Sequence, residues 1–278
     1  MSTALVLGGG GVAGIAWELG VLDALANAGI DLTTADRIIG TSAGAAVGAQ
    51  LRTGDSLASL CERQLIPADQ SAELHVESSL DALIEQFAAC FEGAPDEIEV
   101  RRRLGEVALG APTVDESARL AVIESRLSSH EWSERELLVT AVDALTGEFR
   151  VFDRHSNVPL VSAVAASCAV PGIWPPVTIG DSRFIDGGVR SGSNADLAEG
   201  CDVIVIIAPF AGGFGPTVEA EAQTLRDRGA RVEVIAADEG STAAFGTNVL
   251  DPATRGPSLR EGRRQGALEI ERIAKVWQ

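Results

Sequence analysis

The apolar positions change period along the chain, and each change marks an element. Residues 3–7 form a short apolar run that stops at four glycines, Gly8, Gly9, Gly10 and Gly11. A near-continuous apolar run of that length reads as a strand buried on both faces. Behind the glycines, Val12, Ile15, Ala16, Leu19, Leu22 and Leu25 recur at helical spacing, and Gly29 suits the end of that helix. The unit then repeats: a strand over 37–39, a turn Gly40-Thr41-Ser42-Ala43-Gly44, and an Ala-rich helix over 45–52. Strands interleaved with helices predict an α/β fold with a mainly parallel central sheet flanked by helices in three layers.

From about residue 56 to 130 the pattern stays helical and turns acidic, broken at Pro67, Gly93-Ala94-Pro95 and Gly110-Ala111-Pro112. This segment reads as a helical insertion on the α/β core. Strands return over 136–142 and 148–152, joined by Leu145-Thr146-Gly147. A small-residue helix over 159–169 runs into Pro171, Pro175 and Pro176, which force an extended loop. A short strand over 182–185 meets Asp186-Gly187-Gly188, and residues 202–208 are the best central strand. A helix over 218–228, a strand over 231–236 and a helix from about residue 257 complete one domain over 1–278.

A chain of 278 residues, 46% hydrophobic and 22% charged, buries a core without disulfide or metal. Its formal net charge of -18 argues against nucleic acid as a partner. The one basic run, Arg101-Arg102-Arg103, lies in an acidic stretch and reads as a solvated face with local ion pairs. Cys61, Cys90, Cys168 and Cys201 are scattered, without metal-ligand spacing, and read as buried hydrophobes in a reducing compartment. The first residues lack the basic segment of a secretion signal, and no apolar stretch reaches the roughly 18 residues of a membrane span. The expected location is cytoplasmic, with room for transient contact at a membrane surface. Nothing in the pattern bears on oligomeric state.

Three features carry candidate chemistry. Gly40-Thr41-Ser42-Ala43-Gly44 matches G-x-S-x-G between a strand and a helix. There a serine sits on a strained turn, its hydroxyl exposed at a helix N-terminus. The same five residues equally suit a plain capped helix. The glycine run lets backbone N–H groups converge on an anion, either a phosphate or a developing oxyanion. A dinucleotide fingerprint also runs through Gly9, Gly11 and Gly14, with Asp31 or Asp36 as the ribose-binding acid. Asp186 before two glycines is a turn residue or, beside the other two features, a carboxylate base. The three histidines, His75, His130 and His155, all precede Asp186. A Ser–His–Asp hydrolase places its histidine after the acid, so a serine–aspartate pair is the natural alternative.

Together these features resemble the patatin-like phospholipases, lipid acyl hydrolases with a Ser–Asp dyad. Residues 7–14 look like the family's glycine-rich oxyanion loop, 40–44 like its nucleophile elbow, 165–176 like its small-residue helix and Pro-rich turn, and 186–188 like its aspartate motif. The resemblance implies Ser42 as nucleophile, Asp186 as base, and Gly9, Gly10 and Gly11 as oxyanion donors. It implies a lipid or other acyl ester as substrate and calls for no cofactor and no metal. Where the family carries Arg or Lys two residues after the glycine run, this chain has Ala13, and the loss of that cation predicts a preference for neutral esters.

The same dyad also serves an acyltransferase or a thioesterase. A non-catalytic nucleotide- or lipid-binding module is the rival from another class. Leu80, Leu83, Ile84, Phe87 and Phe91 form a helical apolar stripe, read as core packing or as an acyl-chain wall. Trp17 and Trp174 read as core.

Overall fold

The computed structural model describes residues 1–76 and 80–277, without the side chains of 80–84 and 86. Its sheet is built from β1 (Thr3–Leu7), β2 (Arg37–Gly40), β3 (Glu136–Asp143), β4 (Phe149–Phe152), β5 (Val177–Ile179), β6 (Ser182–Asp186), β7 (Val203–Ala208) and β8 (Arg231–Ala236). The order is β5-β6-β3-β2-β1-β7-β8, with β4 paired to β3. The β3–β2–β1–β7–β8 centre is parallel, and β4, β5 and β6 join by antiparallel ladders.

Side chains of a strand alternate between faces, and here both faces are covered. Leu5 and Leu7 of β1 pack with α1 (Gly11–Asn27), α2 (Ala43–Arg52), α7 (Leu160–Ser167) and α10 (Arg255–Trp277). Ala4 and Val6 pack on the other face, in a cluster that includes Val218, Ala222 and Leu225 of α8 (Val218–Asp227). That alternation makes three layers, as the apolar runs predict. The acidic stretch folds as α3 (Leu57–Gln64), α4 (Leu80–Phe91), α5 (Glu97–Gly110) and α6 (Glu116–Arg126). Its expected ion pairs are present: Arg102 and Arg103 both bind Glu99, while Arg101 turns inward to the Gly147 carbonyl at 2.8 Å.

Two elements differ from the sequence reading. The Pro-flanked segment expected as an extended loop contains β5, which completes the β6 edge. A short helix, α9 (Glu239–Phe245), precedes the last helix and holds Trp17 of α1: the indole N–H donates to Ser241 Oγ at 2.9 Å. Among the described residues, no helix is long and apolar enough to cross a membrane.

Candidate active site

Ligand sites of open α/β sheets lie beyond the carboxyl ends of strands, where the chain order switches direction. Here that point is β1, flanked by β2 on one side and β7 on the other. The ends of β1 and β2 lie in register, Leu7 beside Gly40, so the glycine loop and the elbow emerge together. They are tied by hydrogen bonds: Thr41 N–H donates to Leu7 O at 3.0 Å, and Gly44 N–H to Gly8 O at 2.9 Å. The crossing is so close that a Cβ on Gly44 would stand 2.1 Å from Leu7 O.

Ser42, at the apex, holds φ 54° and ψ -112° and is 8% exposed. A non-glycine residue at positive φ stores about 1–3 kcal/mol of strain and persists only where its surroundings over-determine it. Those surroundings are visible. Ser42 N–H donates to Ser167 Oγ at 2.9 Å, and the Cys168 thiol to Ser42 O at 3.1 Å.

Asp186 ends β6 opposite Ala141 of β3, and its N–H donates to Ala169 O at 3.0 Å. The residue is 4% exposed. Oδ1 accepts from Gly188 N–H at 2.7 Å, whereas Oδ2 has no partner among the described residues. Burial pushes its pKa up to about 7, against the Gly188 N–H, the nearby Ser42 hydroxyl and the Arg119 charge, which all favour the ionised form. A buried polar cluster joins the two loops. Asn194 Nδ2 donates to Thr41 Oγ1 at 3.0 Å and to Ser191 O at 2.8 Å, and Thr41 Oγ1 meets Thr140 Oγ1 at 2.9 Å.

Ser42, Asp186 and Gly9 line one cavity of about 520 Å³, walled by Phe87 and Phe91 of α4 and by Phe210 and Phe214. Phe91 and Phe214 stack with ring centroids 5.7 Å apart. The side chains of Leu80, Leu83 and Ile84 lie outside the described residues. In the glycine loop, Gly11 takes φ +62°, which favours glycine. Gly9 departs from the expected donor set: its N–H is already bonded to Gly192 O at 2.9 Å. Gly10 and Gly11 N–H have no acceptor among the described residues.

A second, narrow cavity of about 20 Å³ also touches Ser42, with Cys168, Trp174, Arg119 and Arg126 in its wall. Sequence reading missed Arg119; Trp174, read as core, is buried at 2% exposure and also lines this cavity. The guanidinium of Arg119 lies 3.9 Å above the Trp174 ring. The three histidines are exposed, and none lines a cavity that touches Ser42.

The nucleotide reading loses its acids. Asp36 accepts from Thr3 N–H at 2.8 Å, at the end of β1 away from the glycine loop. Asp31 accepts from Thr33 N–H at 3.0 Å, beyond the far end of α1, roughly 25 Å from the glycines at 1.5 Å rise per residue.

A family model described as patatin-like phospholipase matches residues 5–199. No curated protein matches the chain. Among solved structures, VipD from Legionella pneumophila is similar at 15% identity and TM-score 0.47, over 98% of this chain and 67% of that one. The ExoU–SpcU complex from the type III secretion system of Pseudomonas aeruginosa is similar at 16% identity and TM-score 0.47, over 99% and 52%. Human GIVD cytosolic phospholipase A2 in complex with methyl gamma-linolenyl fluorophosphonate is similar at 11% identity and TM-score 0.45, over 99% and 59%. The chain spans between about half and two thirds of the length of these structures.

Proposed function

The chain belongs to the patatin-like phospholipase family by its match over residues 5–199, and from that premise we propose that it hydrolyses carboxylic esters of lipids through an acyl-enzyme on Ser42. The observation that carries the reading is the pairing of a serine at positive φ with a carboxylate whose Oδ2 lacks a partner among the described residues, both on the wall of one apolar cavity.

In this reading Asp186 takes the proton of Ser42 as Oγ attacks the ester carbonyl, and returns it to the leaving alcohol. Water then repeats the sequence on the acyl-enzyme. A carboxylate with its ordinary pKa is a poor base at neutral pH. Burial corrects that mismatch by raising Asp186 to about 7. The tetrahedral oxyanion is met by N–H groups of Gly10 and Gly11, each donor contributing about 3 kcal/mol. The phenylalanine-lined cavity takes the acyl chain.

The test is hydrolysis of a p-nitrophenyl ester series, short to long, by wild type and Ser42→Ala. Wild-type activity with a chain-length optimum, lost in folded Ser42→Ala, is the expected result; activity retained in that variant moves the chemistry elsewhere. The pH dependence has a definite sign, because the base works only when ionised. With Asp186 near 7, kcat/KM is expected to rise with pH through about 7 and level off above it. A profile flat from pH 5 to 9 would exclude Asp186 as the base.

A further inference from the structure

Hydrolysis of an acyl-enzyme needs water at Ser42 while the acyl chain still occupies the cavity of about 520 Å³. Phe87, Phe91, Phe210 and Phe214 wall that cavity. Once an acyl chain fills it, the space is apolar and closed to water. A second approach to the serine avoids the phenylalanines.

The narrow cavity of about 20 Å³ touches Ser42 and is the size of one water, for which about 10–15 Å³ suffices. Its wall carries Arg119 and Trp174, both buried. Arg119 Nε and Nη1 and Trp174 Nε1 have no acceptor among the described residues. A buried water bonds to groups that are otherwise unsatisfied.

The narrow cavity leads on to a larger one. Val12, Ile15, Glu73 and Arg126 line it and also line the adjoining cavity of about 150 Å³, so the two meet at these residues. Val12 and Ile15 belong to α1, and Arg126 ends α6, held by Glu73 at 2.8 and 2.6 Å. The larger cavity has room for several waters. Gln50 in its wall is buried and donates Nε2 to Arg126 O at 3.0 Å, while its Oε1 has no donor among the described residues. Gln70 and Ala72, also in that wall, are exposed, so the cavity reaches the surface. Surface, chamber, neck and serine follow one another.

We propose, resting on the acyl-enzyme reading, that these two cavities are a water inlet for deacylation, and that the one-water neck selects water as acceptor over alcohols and thiols. Water from the neck attacks the acyl carbonyl carbon, and one of its protons passes to Asp186. The tetrahedral intermediate collapses, the bond from that carbon to Ser42 Oγ breaks, and Asp186 returns the proton to Oγ. The products are the carboxylic acid and the free serine. Ile15 and the Glu73–Arg126 pair set the width of the neck, which separates a hydrolase from an acyltransferase built on the same dyad.

The experiment loads the protein with p-nitrophenyl dodecanoate or p-nitrophenyl acetate, with and without glycerol. The reaction is stopped at intervals, and the acyl adduct is followed by intact-protein mass spectrometry. Wild type is compared with Ile15→Phe, which plugs the junction, and with Gln50→Met, which removes the orphaned acceptor at nearly constant volume. In wild type, glycerol is expected to take a share of the acetyl group and none of the dodecanoyl group, which leaves as free acid. In Ile15→Phe the dodecanoyl adduct is expected to decay about tenfold more slowly, within the cost of a misplaced reactant. Its first-turnover release of p-nitrophenol keeps the wild-type rate. Gln50→Met slows the same decay by a smaller factor. The acetyl adduct decays unchanged in both variants, because an acetyl group leaves the apolar cavity open to water. A structural defect would slow acylation as well and would not depend on acyl length.

Dodecanoyl glycerol formed by wild type as readily as acetyl glycerol overturns the proposal without any variant. So does a dodecanoyl adduct that decays at the wild-type rate in folded Ile15→Phe and Gln50→Met, or decay slowed equally for both acyl groups. These outcomes leave the acyl-enzyme standing. Absence of both a Ser42 adduct and p-nitrophenol release would overturn the ester-hydrolase reading, and the inlet with it.

Discussion

Asparagine in place of Asp186 is expected to lower kcat/KM for a lipid ester by about 10²–10⁴-fold, the usual worth of a positioned general base, and to stabilise the fold above pH 7. Both effects follow from one property. The Asp186 carboxyl is buried, and its pKa is raised from 3.8 to about 7 in the folded protein. Between those values the folded state holds a proton that the unfolded state releases, so stability falls as pH rises through that window and stays low above it. A shift of this size corresponds to a few kcal/mol, on the order of 1.4 per unit. Asparagine is neutral throughout and escapes the penalty. Thermal melting of wild type and Asp186→Asn at pH 5 and pH 8 checks the point: the advantage of the variant should widen with pH. An equal difference at both values would mean that the carboxyl is not held protonated by burial.

Alanine at position 44 is expected to destroy the site and cost about 3 kcal/mol or more of stability, at the upper end for overpacking. A Cβ there would stand 2.1 Å from Leu7 O and 2.3 Å from Leu7 C, atoms of the central strand that cannot rotate away. The elbow has to retreat from β1, breaking the bonds from Gly44 N–H to Gly8 O and Thr41 O, both 2.9 Å. Ser42 then loses its strained geometry along with its distance to the glycine loop. Gly110→Ala is the control: a Cβ there meets nothing within 4 Å, and the change is expected to stay within about 1 kcal/mol. Chemical denaturation and ester turnover of the two variants separate the cases. Gly44→Ala as stable and active as wild type would show that the elbow does not need that close approach.

The legibility of the fold follows the range of the interactions. β1, the glycine loop, the elbow and the Asp186 turn are each written in fewer than about ten adjacent residues, as apolar runs stopped by glycines, and all were readable. β5 and α9 were not. β5 is three residues directly after Pro175-Pro176, stable only because β6 pairs with it, and α9 is a short polar segment held by Trp17 through Ser241. The polar cluster behind the site was also hidden, because Thr41, Thr140 and Asn194 come together across 99 and 153 positions of chain. Arg119 is the sharpest case. Ala13 was visible as a missing cation next to the glycine run, but no local pattern says that α6 delivers another to the same serine. A buried arginine over a tryptophan has no period and no spacing. It was detectable only once its empty hydrogen-bond positions were seen.

The central claim is that Ser42 is the nucleophile, and the most direct test is labelling with an alkyl fluorophosphonate followed by peptide mass spectrometry. One adduct per chain is expected, on the peptide that contains Ser42, absent from Ser42→Ala and formed more slowly in Asp186→Asn. An adduct on a different serine, or labelling that persists unchanged in Ser42→Ala, would contradict it.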